Sequence, residues 1–569
     1  MSNAIKADGA WPLAGGQRPP TYLCAAPESS GGRCPPAIAD SASHRCWLLA
    51  ITVVALCAAA ISAECWPIVV YDDQESSGMK KALDGMMGHG GAIADVNGDG
   101  LPDLFAGGFC DRPNAEYGAA GKPVPTRLLM HKKGHFFEPV EEEAITFHAR
   151  TSGAVFADLD NDGSLELYIA NNARARTKRE EEPQRSAQLR TSTLLTMRDG
   201  KWVDISEASG ACPPTLLSAR NVGVFDYDND GLLDLLVVED RFIKSPRTTL
   251  FRNLGNLKFE DVNAKVGIPD GVFGLGHAVG DVNEDRIPDF FIAHSNRLFL
   301  STKDGKYIES EVTNKVFEWK PLDGEDWPCG AALVDLDRDG DLDLVLSIHS
   351  VRARNRIYLN EGMHNGVPLF RDVTEQAGLG EIVPIKCPHV EVQDFDNDGW
   401  PDIFVSAGWK PDSGSVQPVI YRHVGMRDGV PRFELPRKLG DSDTAKMVYY
   451  PAAPVADIDA DGKLDIFMIN WFDGAHSHLL HNVGTSGMSL DVIVRGKDKL
   501  NRMGIGAKVM VYRAGGLGDP RQMLGMREIH IGTGYASGGP AVAHFGLGKE
   551  TKVDVWVSLP DGRIINKPG

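Results

Sequence analysis

The chain has 569 residues, too many for one ordinary hydrophobic core but suited to one large repeat domain with additions. Hydrophobic residues make up 42% and charged residues 24%, the composition of a globular protein. A formal net charge of −19 would repel polyanions, which excludes nucleic acid and anionic lipid surfaces as partners.

Residues 1–46 read as a polar segment that is expected to be disordered. Trp47 to Ala63 is a run of 17 uncharged, mostly apolar residues, between a signal-peptide core and the shortest bilayer-spanning helix in length. It reads either as a signal peptide or as a signal anchor that tethers the chain to a membrane. Lys6, Arg18, Arg33 and Arg45 precede the run, whereas Glu64, Asp72 and Asp73 follow it. That asymmetry puts everything after residue 64 outside. The bulk of the chain is therefore expected to be secreted, or to be the outer part of a single-pass membrane protein. Beyond the run lie Cys65, Cys110, Cys212, Cys329 and Cys387. Cys329 and Cys387 take similar places in neighbouring repeats and read either as a disulfide or as two buried thiols. The sequence has no Asn-x-Ser/Thr sequon.

From residue 66 the chain is repetitive. A nine-residue acidic phrase occurs seven times, starting at Asp95, Asp158, Asp226, Asp281, Asp335, Asp394 and Asp457, with successive starts 54 to 68 residues apart. Short apolar runs rich in Val, Ile and Phe flank each copy, too brief for amphipathic helices. Hairpin signals follow, as in TTLFRNLGNLKFEDV from Thr248 and NRLFLSTKDGKYIES from Asn296. Phrases such as Phe259-Glu260-Asp261-Val262 and Phe370-Arg371-Asp372-Val373 then close the unit. About four strands per unit is the content of one propeller blade, so residues 66–490 are expected to be an all-β, seven-bladed β-propeller. Trp66 to Val70 is expected to supply the strand that the last blade lacks, which removes an exposed sheet edge. Residues 501–569 read as a small C-terminal β domain.

Positions 1, 3, 5 and 9 of each phrase are Asp, Asn or Glu. They are Asp95, Asn97, Asp99 and Asp103; Asp158, Asp160, Asp162 and Glu166; Asp226, Asp228, Asp230 and Asp234; and Asp281, Asn283, Asp285 and Asp289. The last three sets are Asp335, Asp337, Asp339 and Asp343; Asp394, Asp396, Asp398 and Asp402; and Asp457, Asp459, Asp461 and Asp465. Hard oxygens at alternate residues can wrap one cation, and Gly at position 6 permits the turn that brings the ninth residue back. The donor number favours Ca²⁺ over Mg²⁺, and the absence of His and Cys from the phrase argues against Zn²⁺. Up to seven calcium ions are expected. The site at Asp281 is expected to be the weakest, because Asn283 replaces an acid and Arg286 replaces the Gly. Identical sites in every repeat point to structural reinforcement rather than catalysis.

Three further features stand out. The insertion from Asn171 to Arg190 reads as a surface loop, and Arg176 to Arg179 matches the dibasic pattern of secretory-pathway processing. His89, His277 and His389 precede acidic phrases at related positions and are expected to pack on inner strands near the propeller axis. His544 is expected to be a hydrogen-bonded structural residue.

The acidic phrases resemble the FG-GAP/VCBS repeat, as in the calcium-bearing blades of integrin α-subunit propellers. The tail, NRMGIGAKVMVYRAGG from Asn501 and then REIHIGTGYASGGPAVAHFGLGKETKVDVWVSLPDGR, resembles the ASPIC/UnbV domain. Repeats followed by this tail are similar to the cartilage acidic protein family over roughly residues 66 to 569. The resemblance implies a secreted or surface-attached calcium-binding protein that acts through contacts with extracellular protein or glycan, and not an enzyme. The alternative is a calcium-dependent propeller enzyme acting on extracellular polysaccharide. N-terminal sequencing of the exported protein tests the topology: a start just after Ala58, Ala60 or Ala63 indicates a cleaved signal peptide, and an intact run indicates an anchor.

Overall fold

A computed structural model describes residues 68, 70–72, 77–109, 124–133, 136–173, 190–321, 326–408, 416–439, 448–472 and 476–569. The segment 1–46, the run 47–63, Cys65, Cys110 and the dibasic Arg176 to Arg179 lie outside them. Trp66 to Gly569 form one compact unit. Among the described residues no helix is long and apolar enough to cross a membrane.

The fold is all-β, and the repeat sets its plan. Seven sheets follow one another along the chain, six of four strands and the first of five, with Ser537–Gly538 added at its edge. Their first strands are Gly88–Ala94, Thr151–Ala157, Ala219–Phe225, Gly274–Gly280, Pro328–Val334, Val390–Gln393 and Val455–Ala456. Each ends at the residue before an acidic phrase, and each second strand begins at the ninth residue of that phrase, as in Asp103–Gly108 and Asp343–Ile348. The phrase is thus the turn between the first two strands of every sheet. A third and a fourth strand follow antiparallel, for example Thr249–Asn253 and Phe259–Asp261 in the third sheet. The Asp of the closing phrase then starts one helical turn: Asp204, Asp261 and Asp372 accept from the N–H of the residue two places on at 2.9–3.0 Å.

The last sheet takes its fourth strand from the other end of the unit. Val70–Asp72 pairs antiparallel with His478–Asn482, Val70 opposite Asn482. The pairing runs a few residues later than the Trp66 to Val70 segment read from the sequence.

Complete burial explains the small residues of the first strands, which read GHGGAIA, TSGAVFA and GLGHAVG. Neighbouring sheets approach closely here. A Cβ on Gly276 would lie 2.4 Å from the Cys329 carbonyl of the next sheet and 2.1 Å from the Gly534 carbonyl. The five longest first strands also carry a register shift near their start, between residues such as Gly88 and Gly91 or Gly274 and His277.

Gly534 belongs to the C-terminal part, which is not a separate appendage. Its sheet has the strand order Met523–Glu528, Lys508–Arg513, Val553–Ser558, Ile564–Lys567, and a second ribbon pairs Met488–Val492 with Ala543–Gly548. The C-terminal part thus begins near Met488, earlier than the boundary at 501 read from the sequence. The turn Ile531 to Gly538 lies against the first strands of six sheets and against Ala453, which leads into the first strand of the seventh. Ser537–Gly538 pairs in parallel with Gly91 and Ala92, and Gly538 packs on Ala154. Ile531 bridges Val224, and Gly534 bridges both His277 and Ala331. Tyr535 meets His389, and Ser537 Oγ accepts from Ala453 N–H at 3.0 Å.

The three histidines do pack here. His389 Nδ1 lies 3.0 Å from Tyr535 N and 2.9 Å from its carbonyl oxygen, and the Tyr535 hydroxyl lies 3.1 Å from His89 Nε2. Burial lowers the His277 pKa to about 4. Cys329 and Cys387 are buried free thiols, so the disulfide alternative falls away.

Gly276→Ala is expected to lower the unfolding free energy by roughly 1–3 kcal/mol in denaturant titration. Gly539→Ala, with nothing within 4 Å of its Cβ position, should change little.

Candidate metal centres

Each acidic loop has two residues in the left-handed region, at positions 4 and 6. Position 6 is Gly with φ of 83–97° in six loops, and Arg286 takes the same turn at φ 70° in the fourth. A non-glycine residue there costs roughly 1–2 kcal/mol. This double turn directs backbone N–H groups inward onto the first carboxylate. Asp95, Asp226, Asp394 and Asp457 accept from the N–H of positions 5 and 6 at 2.7–3.1 Å.

The ninth residue fastens the loop to the sheet. One carboxylate oxygen accepts from the N–H of position 2 in every loop, at 2.9–3.1 Å. The other accepts a backbone N–H at 2.6–2.8 Å, donated from the third strand by His131, Asn253, Ser301, Asn360 or Asn482, and in the sixth sheet by His423 just beyond that strand. In the second loop Thr196 Oγ1 donates to Glu166 at 2.8 Å instead. Residue 9 is thus first a structural staple, and any share in metal binding would come through lone pairs left over.

The expected ligands converge in groups. Oxygens of Asp158, Asp160 and Glu166 lie within 4.8 Å of one another, as do those of Asp226, Asp228 and Asp230, of Asp335, Asp337 and Asp339, and of Asp394, Asp396 and Asp402. In the seventh loop Asp459 and Asp465 are joined by His481, whose Nδ1 lies 3.3 Å from Asp465. His481 lies 16 residues beyond the phrase, so nothing in the repeat points to it. Asp158 Oδ1, Asp228 Oδ1 and Asp335 Oδ2 are buried with no hydrogen-bond partner. Bare buried carboxylate oxygens beside further carboxylates fit a hard divalent cation.

The electrostatics agree. Burial first, then the neighbouring carboxylates of the same loop, pushes Asp158 and Asp457 up to about 6, Asp226 to about 7 and Asp335 to about 8. Asp394 is held well above the usual range for the same two reasons. Arginines relieve part of this crowding from outside: Arg252 Nε lies 2.8 Å from Asp228, and its Nη2 3.0 Å from Asp230. Arg422 Nη2 lies 2.9 Å from Asp398 and its Nε also pairs with Asp396.

Position 4 has a role that the sequence did not disclose. Asn161 Nδ2 donates to the Gly231 carbonyl at 2.8 Å, Asn229 Nδ2 to Arg286 at 3.1 Å, Arg338 Nη2 to Gly399 at 2.6 Å, and Asn397 Nδ2 to Gly462 at 2.8 Å. Side chains thus tie the second loop to the third and fourth, and the fifth to the sixth and seventh. Asn suits a left-handed residue that must also donate.

The C-terminal part covers this loop face. Arg502 N–H donates to Asn161 Oδ1 at 2.7 Å, and the Lys499 carbonyl lies against Gly231. His544 Nε2 lies 2.8 Å from Asn397 Oδ1 and Nδ1 2.7 Å from Asp491, the structural role expected of it. Ser489 packs on Gly462 of the seventh loop. The first loop is more open, with free space at Gly98 and Gly100.

Comparison with known proteins agrees with this architecture. Residues 95–169, 226–292, 335–405 and 394–468 match the FG-GAP-like repeat, and residues 496–566 match the ASPIC and UnbV family. The chain is an FG-GAP-repeat protein with a C-terminal ASPIC/UnbV domain. It is similar to human cartilage acidic protein 1, with 25% identity over 503 residues, 84% of this chain and 70% of that protein. The Xenopus tropicalis protein of the same name is 26% identical over 507 residues, covering 84% and 71%. Among solved structures, rhamnogalacturonan lyase YesW matches 70% of this chain and 72% of its own at 13% identity and a TM-score of 0.36, too distant to carry an argument.

Raised carboxylate pKa values favour protons in the folded, metal-free protein. Their contribution to stability is full below about pH 4 and is lost as pH rises through about 6 to 8. A divalent cation bound in the loops would take the place of those protons. Calorimetry should therefore find a calcium-induced rise in Tm that grows from about pH 5 to about pH 8. A Tm indifferent to calcium and to EGTA across that range would remove the metal centres.

Proposed function

We propose that residues 66–569 are the exported part of a calcium-binding, seven-bladed β-propeller that acts as a non-catalytic binding or adhesion module for extracellular protein or glycan. Closure into a ring is supported by the pairing of Val70–Asp72 with His478–Asn482 and by a single turn that touches the first strands of six sheets and Ala453, just before that of the seventh. Calcium is supported by the bare buried carboxylate oxygens of the loops. The similarity to cartilage acidic protein 1 supports the extracellular setting.

One observation carries the choice of binding face. The ASPIC/UnbV domain occupies the face that holds the acidic loops, so among the described residues the broad face left for a partner lies at the far ends of the second strands. That end is rich in the residue types that anchor interfaces. Trp327 is stacked between His294 and His349, at 5.4 and 5.3 Å between ring centroids. Arg241 lies 4.9 Å over the Trp327 ring, and Phe242 beside it is 44% exposed. Behind them buried Tyr449 packs edge-on to His349 and to the half-buried Trp471.

Capture from extracellular material is the test. Arg241→Ala with Phe242→Ala is expected to weaken partner binding roughly tenfold or more while leaving the calcium-dependent Tm unchanged. Unchanged capture by that variant would move the binding site elsewhere. A polysaccharide-acting enzyme is the second reading. It draws on a cavity of about 910 Å³ bordered by the first loop and lined by Glu142, Glu391, Arg495, Arg527 and His530. Calcium-dependent product release from a panel of uronic-acid polysaccharides would favour it over the binding module.

A further inference from the structure

The fourth loop shares the backbone path of the other six but not their chemistry. Each of its prospective metal ligands already has an internal donor. Lys508 Nζ lies 3.1 Å from Asp281 Oδ2 and also donates to the Asp281 carbonyl at 3.1 Å. Ser301 Oγ lies 3.1 Å from Asp285 Oδ1 and 3.0 Å from the Ile287 carbonyl, a hydroxyl set between position 5 and the backbone carbonyl of position 7. The Asn283 amide is turned towards the Ser301 carbonyl at 3.1 Å and towards Asp289 at 3.4 Å, while its oxygen accepts from Asp285 N–H. Asp289 accepts from the N–H groups of Val282, Asn283 and Ser301. Asp281 keeps one bare oxygen, Oδ1, but a positive charge already stands beside its other oxygen.

That charge comes from the other domain. Lys508 stands opposite Glu528 in the C-terminal sheet, and Glu528 accepts the Asp281 N–H at 3.1 Å. One cross-strand pair therefore grips Asp281 by its carboxylate, its carbonyl and its amide. The contact is largely buried, with the Lys508 and Asp281 side chains 15% and 8% exposed. Arg502 of the C-terminal domain also lies 3.7 Å from Asp158 of the second loop, but its side chain is 55% exposed, and the arginines of the third and sixth loops come from the same sheet and bind positions 3 and 5. Arg286 in place of Gly adds to the difference, since its guanidinium reaches the Gly562 turn of the C-terminal domain.

We propose that the fourth loop binds the ε-ammonium of Lys508 instead of a metal ion, and that this makes it the electrostatic latch holding the ASPIC/UnbV domain on the propeller. The protein then carries six calcium ions, not seven. The inference rests on the calcium reading of the other six loops only for that count; the latch itself stands on the geometry of Lys508, Glu528 and Asp281.

The test uses the full exported chain loaded with calcium and stripped of free ion. Metal analysis is expected to give six ions in the wild type, in Asp281→Asn and in Lys508→Met, and five in Asp457→Asn. Seven ions in the wild type, or the loss of one in Asp281→Asn, overturns the proposal. No ions in any variant would refute the calcium reading, and the latch would then be decided by the second readout. That readout is hydrogen exchange of residues 505–530 in chelator, which should quicken about tenfold or more in Lys508→Met and in Asp281→Asn. The double variant should be no faster than either single one, and Lys508→Arg should restore protection. Exchange that stays at the wild-type rate in both single variants, or effects that add in the double variant, would overturn the latch.

Discussion

Carboxylate crowding at the first turn of each sheet is the constraint on which the rest of this structure depends. Three or four acids within nine residues, partly withdrawn from water, repel one another unless a positive charge or a dense set of N–H donors stands among them. The chain answers at several levels. Left-handed residues at positions 4 and 6 point amides at the first carboxylate, the ninth residue is spent on backbone N–H groups, and arginines of the third and sixth sheets draw off charge from outside. The bare oxygens left on Asp158, Asp228 and Asp335 are where a cation would have most to contribute.

Holding these loops in place also organises the domains. Position 4 side chains bind each loop to the next over two arcs, and the C-terminal domain rests on the loop face that results. Its glycine-rich turn reaches down among the first strands, where Gly276 and Gly534 leave no room for a Cβ. The ASPIC/UnbV tail is therefore part of the core rather than an accessory, and rigidity of the loops and seating of the tail are one property. The fourth loop belongs to the same scheme, with the neutralising charge drawn from a lysine 227 residues away in sequence.

Much of this was legible in the sequence because it is periodic and local. Seven copies of one phrase set the number of sheets, the place of each first turn and the start of each second strand. The donor types at positions 1, 3, 5 and 9 are those that suit a hard cation, and Arg286 and Asn283 mark the fourth copy as the odd one. The role of the ninth acid as a staple was hidden, because its partners are backbone amides that every residue possesses. His481 was hidden too, since one histidine on a later strand carries no periodic signal.

Tertiary structure alone decided how distant segments meet. No local pattern says that Lys508 and Glu528 close on Asp281, that Tyr535 lies between His89 and His389, or that Cys329 and Cys387 remain apart as thiols. It likewise decided that the C-terminal domain covers the acidic face. The physical reason is the same in each case. Turn conformation and ligand chemistry are written into adjacent residues, whereas the pairing of charges and the choice of a covered face depend on which remote surfaces fit once the sheets have packed.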